Sequence, residues 1–302
     1  MSNFEKDYLD LLDEVRRTGY ESEDRTGIGT KKLIGKSLTA HHVGSEHSRC
    51  GFPIPETRPF SFRISFWETM MFLQGITDTK YLEDKGINIW KGNTSREFLD
   101  NRGLFDYPEG EMGPGYGFQW RDFGGGNTFV GTDQVSSVLK SLKEDPFGRR
   151  HIISAWNPNQ LNLMALPPCH IINQYFVTKG ADDRFYLDSI FYMRSVDLPF
   201  GLPYNMMSYS FMNILFAKML GYQTGHVTFM GGDCHIYNNQ MDMVYEQVSR
   251  FNQPLTDWLD CKLHINADIK TPDDFHKLNE DNVILSNYHP MSKIASTPKM
   301  AI

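Results

Sequence analysis

The chain has 302 residues, 40% of them hydrophobic, which is enough for a sizeable core and excludes a disordered chain. Thirty Lys and Arg against 37 Asp and Glu give a net charge of -7, so a broad electrostatic grip on nucleic acid is excluded and any phosphate must be met by local arginines. No run approaches the roughly 20 apolar residues of a membrane span, and Met1–Asp7 lacks the apolar core of a signal peptide. A cytoplasmic protein with no membrane or nucleic-acid partner is expected.

Phe4, Tyr8, Leu11, Leu12 and Val15 recur at helical spacing behind a cap at Ser2 or Asn3, with Gly19 as the stop. Arg25–Thr30 is a glycine-bearing turn whose arginine is placed to meet an anion, and Lys31–His42 reads as a strand. A polar excursion, Val43–Gly51, follows. Phe62–Gln74 is a mostly apolar helix stopped by Gly75, and it carries Glu68 among Phe66, Trp67, Met70, Met71 and Phe72. Such a carboxylate is either a plain helix-surface glutamate or a group that must be solvated, paired or raised in pKa. Asp133–Lys143 presents Val135, Val138, Leu139 and Leu142 on one face. His151–Trp156, Ile171–Val177, Phe185–Met193 and Val227–Met230 have strand composition, while Tyr204–Met219 and Asn239–Arg250 are helical. Strands mix with helices without βαβ alternation, which predicts one α+β domain over residues 1–302.

Four cysteines, Cys50, Cys169, Cys234 and Cys261, are too few and scattered for a disulfide scaffold. Cys169 follows Leu166-Pro167-Pro168 and precedes His170 and a strand, so its backbone position is restricted. It is a small buried hydrophobe or a nucleophile; as a nucleophile it needs a neighbouring guanidinium, and Arg194 at the end of the next strand is the natural one. Arg149 and Arg150, with Arg25, Arg194 and Ser195, can form a phosphate pocket or remain solvated arginines. Neighbouring strand residues face opposite ways, so Arg149 and Arg150 serve one site only across a turn or a subunit boundary. Gly231–Asn238 reads as a strand-to-helix junction offering His235 and Tyr237 to sugar hydroxyls. Phe200–Asn205 precedes a helix; Asn205 is either a cap or a reader of adjacent C=O and N–H groups on a pyrimidine. His41, His42, His47 and Cys50 match no zinc spacing, and no metal is expected. In a Cys/His hydrolase His170 would have to serve Cys169 as base, but on a strand the two should point apart. A non-catalytic nucleotide binder would lack the nucleophile or the carboxylate, and both are present.

Together these motifs resemble the thymidylate synthase family from Arg25-Thr26-Gly27 to Met300-Ala301-Ile302. The matches are Glu68 with Phe72–Gly75, Ile89-Trp90, Gly117–Arg121, Arg149-Arg150, Met164–His170, Arg194-Ser195 with Asp197, Gly201–Asn205 and Gly232–Tyr237. The resemblance implies a mixed twisted sheet packed by helices, with one sheet face at a homodimer interface across which Arg149 and Arg150 reach the partner's phosphate site. It makes Cys169 the nucleophile that adds to C6 of dUMP, Glu68 the proton-moving carboxylate and Tyr116 the phenol near C5, with Asp197 also in the catalytic set. Arg25, Arg149, Arg150, Arg194 and Ser195 would hold phosphate, His235 and Tyr237 the sugar, and Asn205 and His170 the base. The cosubstrate is 5,10-methylenetetrahydrofolate, met by Arg58, Ile89, Trp90, Leu166, Asp197, Gly201, Tyr204 and Ala301.

The chain also departs from the family pattern. Met193 and Phe200 replace a glutamine and a leucine and resemble the phage deoxycytidylate hydroxymethylases. Gly115 replaces a valine, Arg58 and Ser61 a lysine and a histidine of the folate side, and Trp67 a histidine beside Glu68. All bear on whether hydride or water captures the methylene left at C5. The resemblance is therefore taken furthest toward a phage-type dUMP hydroxymethylase, working in a host's cytoplasm, that makes 5-hydroxymethyl-dUMP. Ordinary thymidylate synthesis is the alternative.

Overall fold

The computed structural model describes residues 4–24, 26–44, 51–126, 129–251 and 261–298. It begins with α1 (Phe4–Thr18), β1 (Tyr20–Ser22), β2 (Thr30–Ala40) and α2 (Phe62–Leu73). Three short helices follow, α3 (Lys80–Glu83), α4 (Arg96–Asn101) and α5 (Tyr116–Asp122), then α6 (Gln134–Glu144) and β3 (Ile152–Ser154). The second half holds β4 (His170–Lys179), β5 (Phe185–Asp197), α7 (Gly201–Leu220), β6 (Gln223–Tyr237), α8 (Met241–Arg250), β7 (Lys262–Ile265) and β8 (Val283–Ser286).

Six strands form one mixed sheet in the order β1-β2-β6-β5-β4-β3, and β7 pairs with β8 separately. Neighbours in the large sheet are antiparallel except β5 and β6, which α7 joins by a crossover over one face. This is the α+β architecture that the mixed elements predict. α7 is buried almost all round, packed between the sheet and α2, which explains its lack of a polar stripe. It ends at Gly221, whose φ of 71° lets the Tyr222 N–H return to the Ala217 carbonyl at 2.9 Å. At the other end of the chain α1 buries Phe4, Tyr8, Leu11, Leu12 and Val15, as their spacing predicts. Its Glu5 carboxylate accepts the backbone N–H groups of Glu56 and Thr57, tying α1 to the stretch that leads into α2.

The face of the sheet away from α7 keeps Ile34, Ile152, Ile172, Tyr192 and Met230 at 37% exposure or more. Ile172, Tyr192 and Met230 are direct cross-strand neighbours, so they form an apolar row.

Several boundaries differ from expectation. Gly231–Tyr237 is not a junction but the last half of β6, because the backbone stays paired with β5 and β2 to its end. Likewise β5 runs past Arg194 to Asp197. α7 begins at Gly201, so Asn205 lies inside the helix and is not its cap. β1, α3 to α5 and the β7–β8 hairpin were not expected; these elements are too short to carry a period of their own. The excursion at Val43–Gly51 falls largely outside the described residues.

Candidate active site

Strand register brings distant motifs together. His170 pairs with Met193, Ser195 with Asp233, and Asp197 with His235, so the end of the sheet gathers Cys169, Arg194, Ser195, Asp197 and His235. The Arg194 N–H donates to the Cys169 carbonyl at 2.8 Å. Arg194 also donates through Nε to Pro168 O at 2.7 Å and through Nη2 to Pro167 O at 3.0 Å, which holds Nη2 3.7 Å from Cys169 Sγ. The two prolines thus do more than restrict the backbone: their carbonyls hold the guanidinium at the thiol.

α2 and α5 supply the opposite wall. Glu68 Oε1 accepts the Trp90 indole N–H at 2.8 Å, and burial pushes the Glu68 carboxyl up to about 7. The plain helix-surface reading of Glu68 is therefore replaced by that of a pocket carboxyl with a raised pKa. Tyr116 begins α5, and its phenol oxygen accepts the Cys169 backbone N–H at 2.7 Å. Burial holds the Tyr116 phenol well above its ordinary value, so it keeps its proton and remains a donor. Tyr116 is carried there by Gly113, whose φ is 69° and whose hypothetical Cβ would stand 2.1 Å from Leu163 O.

His170 stacks on Tyr116 with centroids 4.1 Å apart, and its Nδ1 lies 2.7 Å from the Tyr209 hydroxyl. Burial pushes its pKa down to about 3, so the imidazole is neutral at physiological pH and engaged away from the thiol. A hydrolase base at His170 is not what this geometry offers.

These groups line a cavity of about 390 Å³. Cys169, His170, Glu68, Tyr116 and Asn205 face it, joined by Ser195 and Asp197 from β5 and by Gly201 and Tyr204 from α7. Ile89, Trp90 and Leu166 add apolar wall. Asp197 Oδ1 accepts the Phe200 N–H at 3.0 Å and Oδ2 accepts Gln240 Nε2 at 2.8 Å, while burial raises its carboxyl above the usual range. Beside it, His235 Nδ1 lies 2.8 Å from Asp233 Oδ1, and Tyr237 packs edge-on against the imidazole. Lys32 closes the other side of Asp233 at 3.0 Å.

Other expected residues lie elsewhere. Arg149 and Arg150 are exposed just before β3, preceding the strand, so strand alternation does not separate them. Arg58 does not line the cavity but is buried against Phe60 and Phe200. Arg25 and Ala301 lie outside the described residues, as do His47 and Cys50. Among the described residues no group of three or more His, Cys, Asp or Glu is placed to hold a metal ion. Sequence reasoning missed Asn93, whose buried Nδ2 has no partner among the described residues, and Ile64. The only signal for Asn93 was its place three residues after Trp90.

Comparison with known proteins matches residues 6–301 to the family described as Thymidylate synthase. The chain belongs to the thymidylate synthase family. The thymidylate synthase of Saccharomyces cerevisiae is 36% identical over 297 residues, 95% of this chain and 94% of that protein. A probable thymidylate synthase of Schizosaccharomyces pombe is 36% identical over 299 residues, 96% of this chain and 46% of that protein. The bifunctional dihydrofolate reductase-thymidylate synthase of Leishmania major is 39% identical over 253 residues, 82% of this chain and 47% of its own length. The chain thus spans about half of the longer relatives and nearly all of the yeast enzyme. These relatives carry thymidylate synthase names, and nothing in them points to a phage-type hydroxymethylase. That expectation now stands on the departures from the family pattern at Met193, Phe200, Gly115, Arg58, Ser61 and Trp67.

Proposed function

We propose that this thymidylate synthase family member transfers a one-carbon unit from methylenetetrahydrofolate to C5 of dUMP and releases dTMP and dihydrofolate. The observation that carries the reading is the convergence of Cys169, Glu68 and Tyr116 on one cavity, with the Arg194 guanidinium held 3.7 Å from the Cys169 sulfur. Arg194 favours the Cys169 thiolate without competing for its proton, and the thiolate adds to C6 of the pyrimidine. Electron density then gathers at C5, with O4 as the partial oxyanion. Glu68, poised near 7, relays protons to and from that side, and the Tyr116 phenol donates near C5. Asn205 offers a donor to O4 and an acceptor to N3–H. Ser195, Arg194 and Arg25 hold the phosphate, and His235 and Tyr237 the sugar.

The cavity fits a folate. Its walls at Ile64, Ile89, Trp90 and Tyr204 are largely apolar, and Asp197 with Asn93 Nδ2, which has no partner among the described residues, gives polar groups for a heteroaromatic ring. When bound, the folate supplies the one-carbon unit and the hydride. The names of the relatives support hydride capture at the last step.

A second reading, formation of 5-hydroxymethyl-dUMP, is favoured by the pocket's composition. Met193 lines it in place of a polar side chain, and a Cβ on Gly115 beside Tyr116 would meet nothing closer than Met112 at 3.4 Å, which is consistent with room for a water. Incubation with dUMP and methylenetetrahydrofolate, followed by mass spectrometry, decides between them. Stoichiometric dTMP with the absorbance rise of dihydrofolate is expected; hydroxymethyl product with tetrahydrofolate retained reverses the order of the two readings. In that event Met193→Gln with Gly115→Val should move product toward dTMP.

Asn205→Asp removes the amide donor to O4 and provides an acceptor for cytosine's amino group. The ratio of kcat/KM for dCMP to that for dUMP should rise by about a hundredfold. An unchanged ratio would place base recognition elsewhere.

We further propose a homodimer in which the exposed Ile172, Tyr192 and Met230 row meets its counterpart and Arg149 and Arg150 reach the partner's phosphate site. A mixture of inactive Cys169→Ser and Arg150→Ala chains should then regain activity, since one site per heterodimer is intact. Heterodimers formed without recovery would show that Arg150 acts within its own chain.

A further inference from the structure

Arg58 is 6% exposed, and its guanidinium donates to neutral groups. The guanidinium is also sandwiched between two rings, with Cζ 4.2 Å from the Phe60 centroid and 4.9 Å from that of Phe200. Nε donates to Gln247 Oε1 at 3.0 Å, and Nη2 donates to the Pro199 carbonyl. Gln247 is held in turn by Thr57, and the Tyr8 hydroxyl donates to Leu198 O at 3.2 Å. The contacts to Phe200, to the Pro199 carbonyl and to Leu198 O all bear on one short turn, residues 198–200, between β5 and α7.

Asp197 stands at the start of that turn and is oriented by it, since Oδ1 accepts the Phe200 N–H. A guanidinium wedged between Phe200 and the Pro199 carbonyl therefore sets the turn, and the turn sets the carboxylate. Arginine suits this place for a physical reason: its planar fork stacks on two rings while donating sideways, which an ammonium cannot do. The two departures from the family pattern at Arg58 and Phe200 are thus in contact with each other.

We propose that Arg58 is a positioning residue which, stacked between Phe60 and Phe200, fixes the turn after Asp197 and so aims the Asp197 carboxylate into the pocket, without itself touching the folate. This rests on the reading of the pocket as a dUMP and folate site. The electrostatics agree with the geometry. Burial raises the Asp197 carboxyl, and it is pulled back down first by the Phe200 N–H and Gln240 hydrogen bonds and then by His235 from β6 and Arg58 from the segment before α2. Tyr8 from α1 and the neutral Gln240 complete its surroundings.

The test compares the full-length native protein with Arg58→Gln, using methylenetetrahydrofolate and the corresponding pteroate that lacks the glutamate tail. Removing the fork should raise KM for the folate about tenfold, leave dUMP binding within about twofold, and impose the same penalty with the pteroate. The Asp197 carboxyl, followed by carbon NMR and assigned through Asp197→Asn, should titrate at higher pH in Arg58→Gln. A penalty that vanishes with the pteroate makes Arg58 a ligand of the glutamate tail and overturns the proposal. An unchanged folate KM with an unchanged Asp197 titration overturns it as well. Should Arg58→Gln fail to bind dUMP, Phe200→Leu, which keeps the cation but removes one face of the stack, should show the same pattern at about threefold. No change in that variant is equally fatal. If the native protein does not use folate at all, the functional reading fails, while the Asp197 titration still judges the clamp.

Discussion

Cys169→Ser is expected to lower kcat by about four orders of magnitude or more, leaving dUMP binding within a few-fold of the native protein. The hydroxyl is too weak an acid for the neighbouring guanidinium to ionise, so Arg194, 3.7 Å from the sulfur, has no thiolate to stabilise. The anchors of the binding site are untouched, because Arg194 is held by the carbonyls of Pro167 and Pro168 and not by the thiol. Titration calorimetry with dUMP and a product assay measure the two effects separately. Near-native turnover would remove Cys169 from the chemistry, and a parallel loss of binding would make its role structural.

Glu68→Gln should act in opposite directions on activity and stability. Turnover should fall by about 10²- to 10⁴-fold, since the amide cannot carry a proton between water and substrate. Stability should rise, and the sign follows from linkage. Below pH 4.5 the carboxyl is protonated in both states; between 4.5 and about 7 the native protein retains a proton that the unfolded chain releases, so native stability falls as pH rises through this window. Above it the full cost is present, roughly 2–3 kcal/mol after allowing for the pocket's contact with solvent. The glutamine avoids that cost and still accepts the Trp90 N–H, so at pH 8 the variant should melt several degrees higher than the native protein, with little difference at pH 4. Equal melting temperatures at both pH values would mean that Glu68 is ionised without penalty. Burial here stores strain against a charged carboxylate, and that strain keeps the group's pKa near the pH at which it must give and take a proton.

What the sequence determined by itself is what depends on near neighbours. The spacing of Phe4, Tyr8, Leu11 and Val15 specifies an amphipathic helix, the apolar run of α7 specifies a buried one, and Asp133 caps α6 by accepting the Ser136 N–H. Cys169 was legible as a restrained thiol because two prolines precede it in the chain, and the order of motifs was enough to name the family. Tertiary structure decided what depends on pairing between distant segments. Strand register places Met193 beside His170 and Asp197 beside His235, and the fold around α2 sets Glu68 against Trp90, 22 positions away. Neither distance is encoded in a local period, so the sequence left open whether Glu68 is raised in pKa and could not name its partner. Arg58 is the clearest case. The family resemblance makes it a residue of the folate side, and only the packing of Phe60, Phe200 and Gln247 around it, contributed by segments up to 189 positions apart, turns it inward. Burying a cation in that way requires partners from several elements at once, and only the folded chain brings them together.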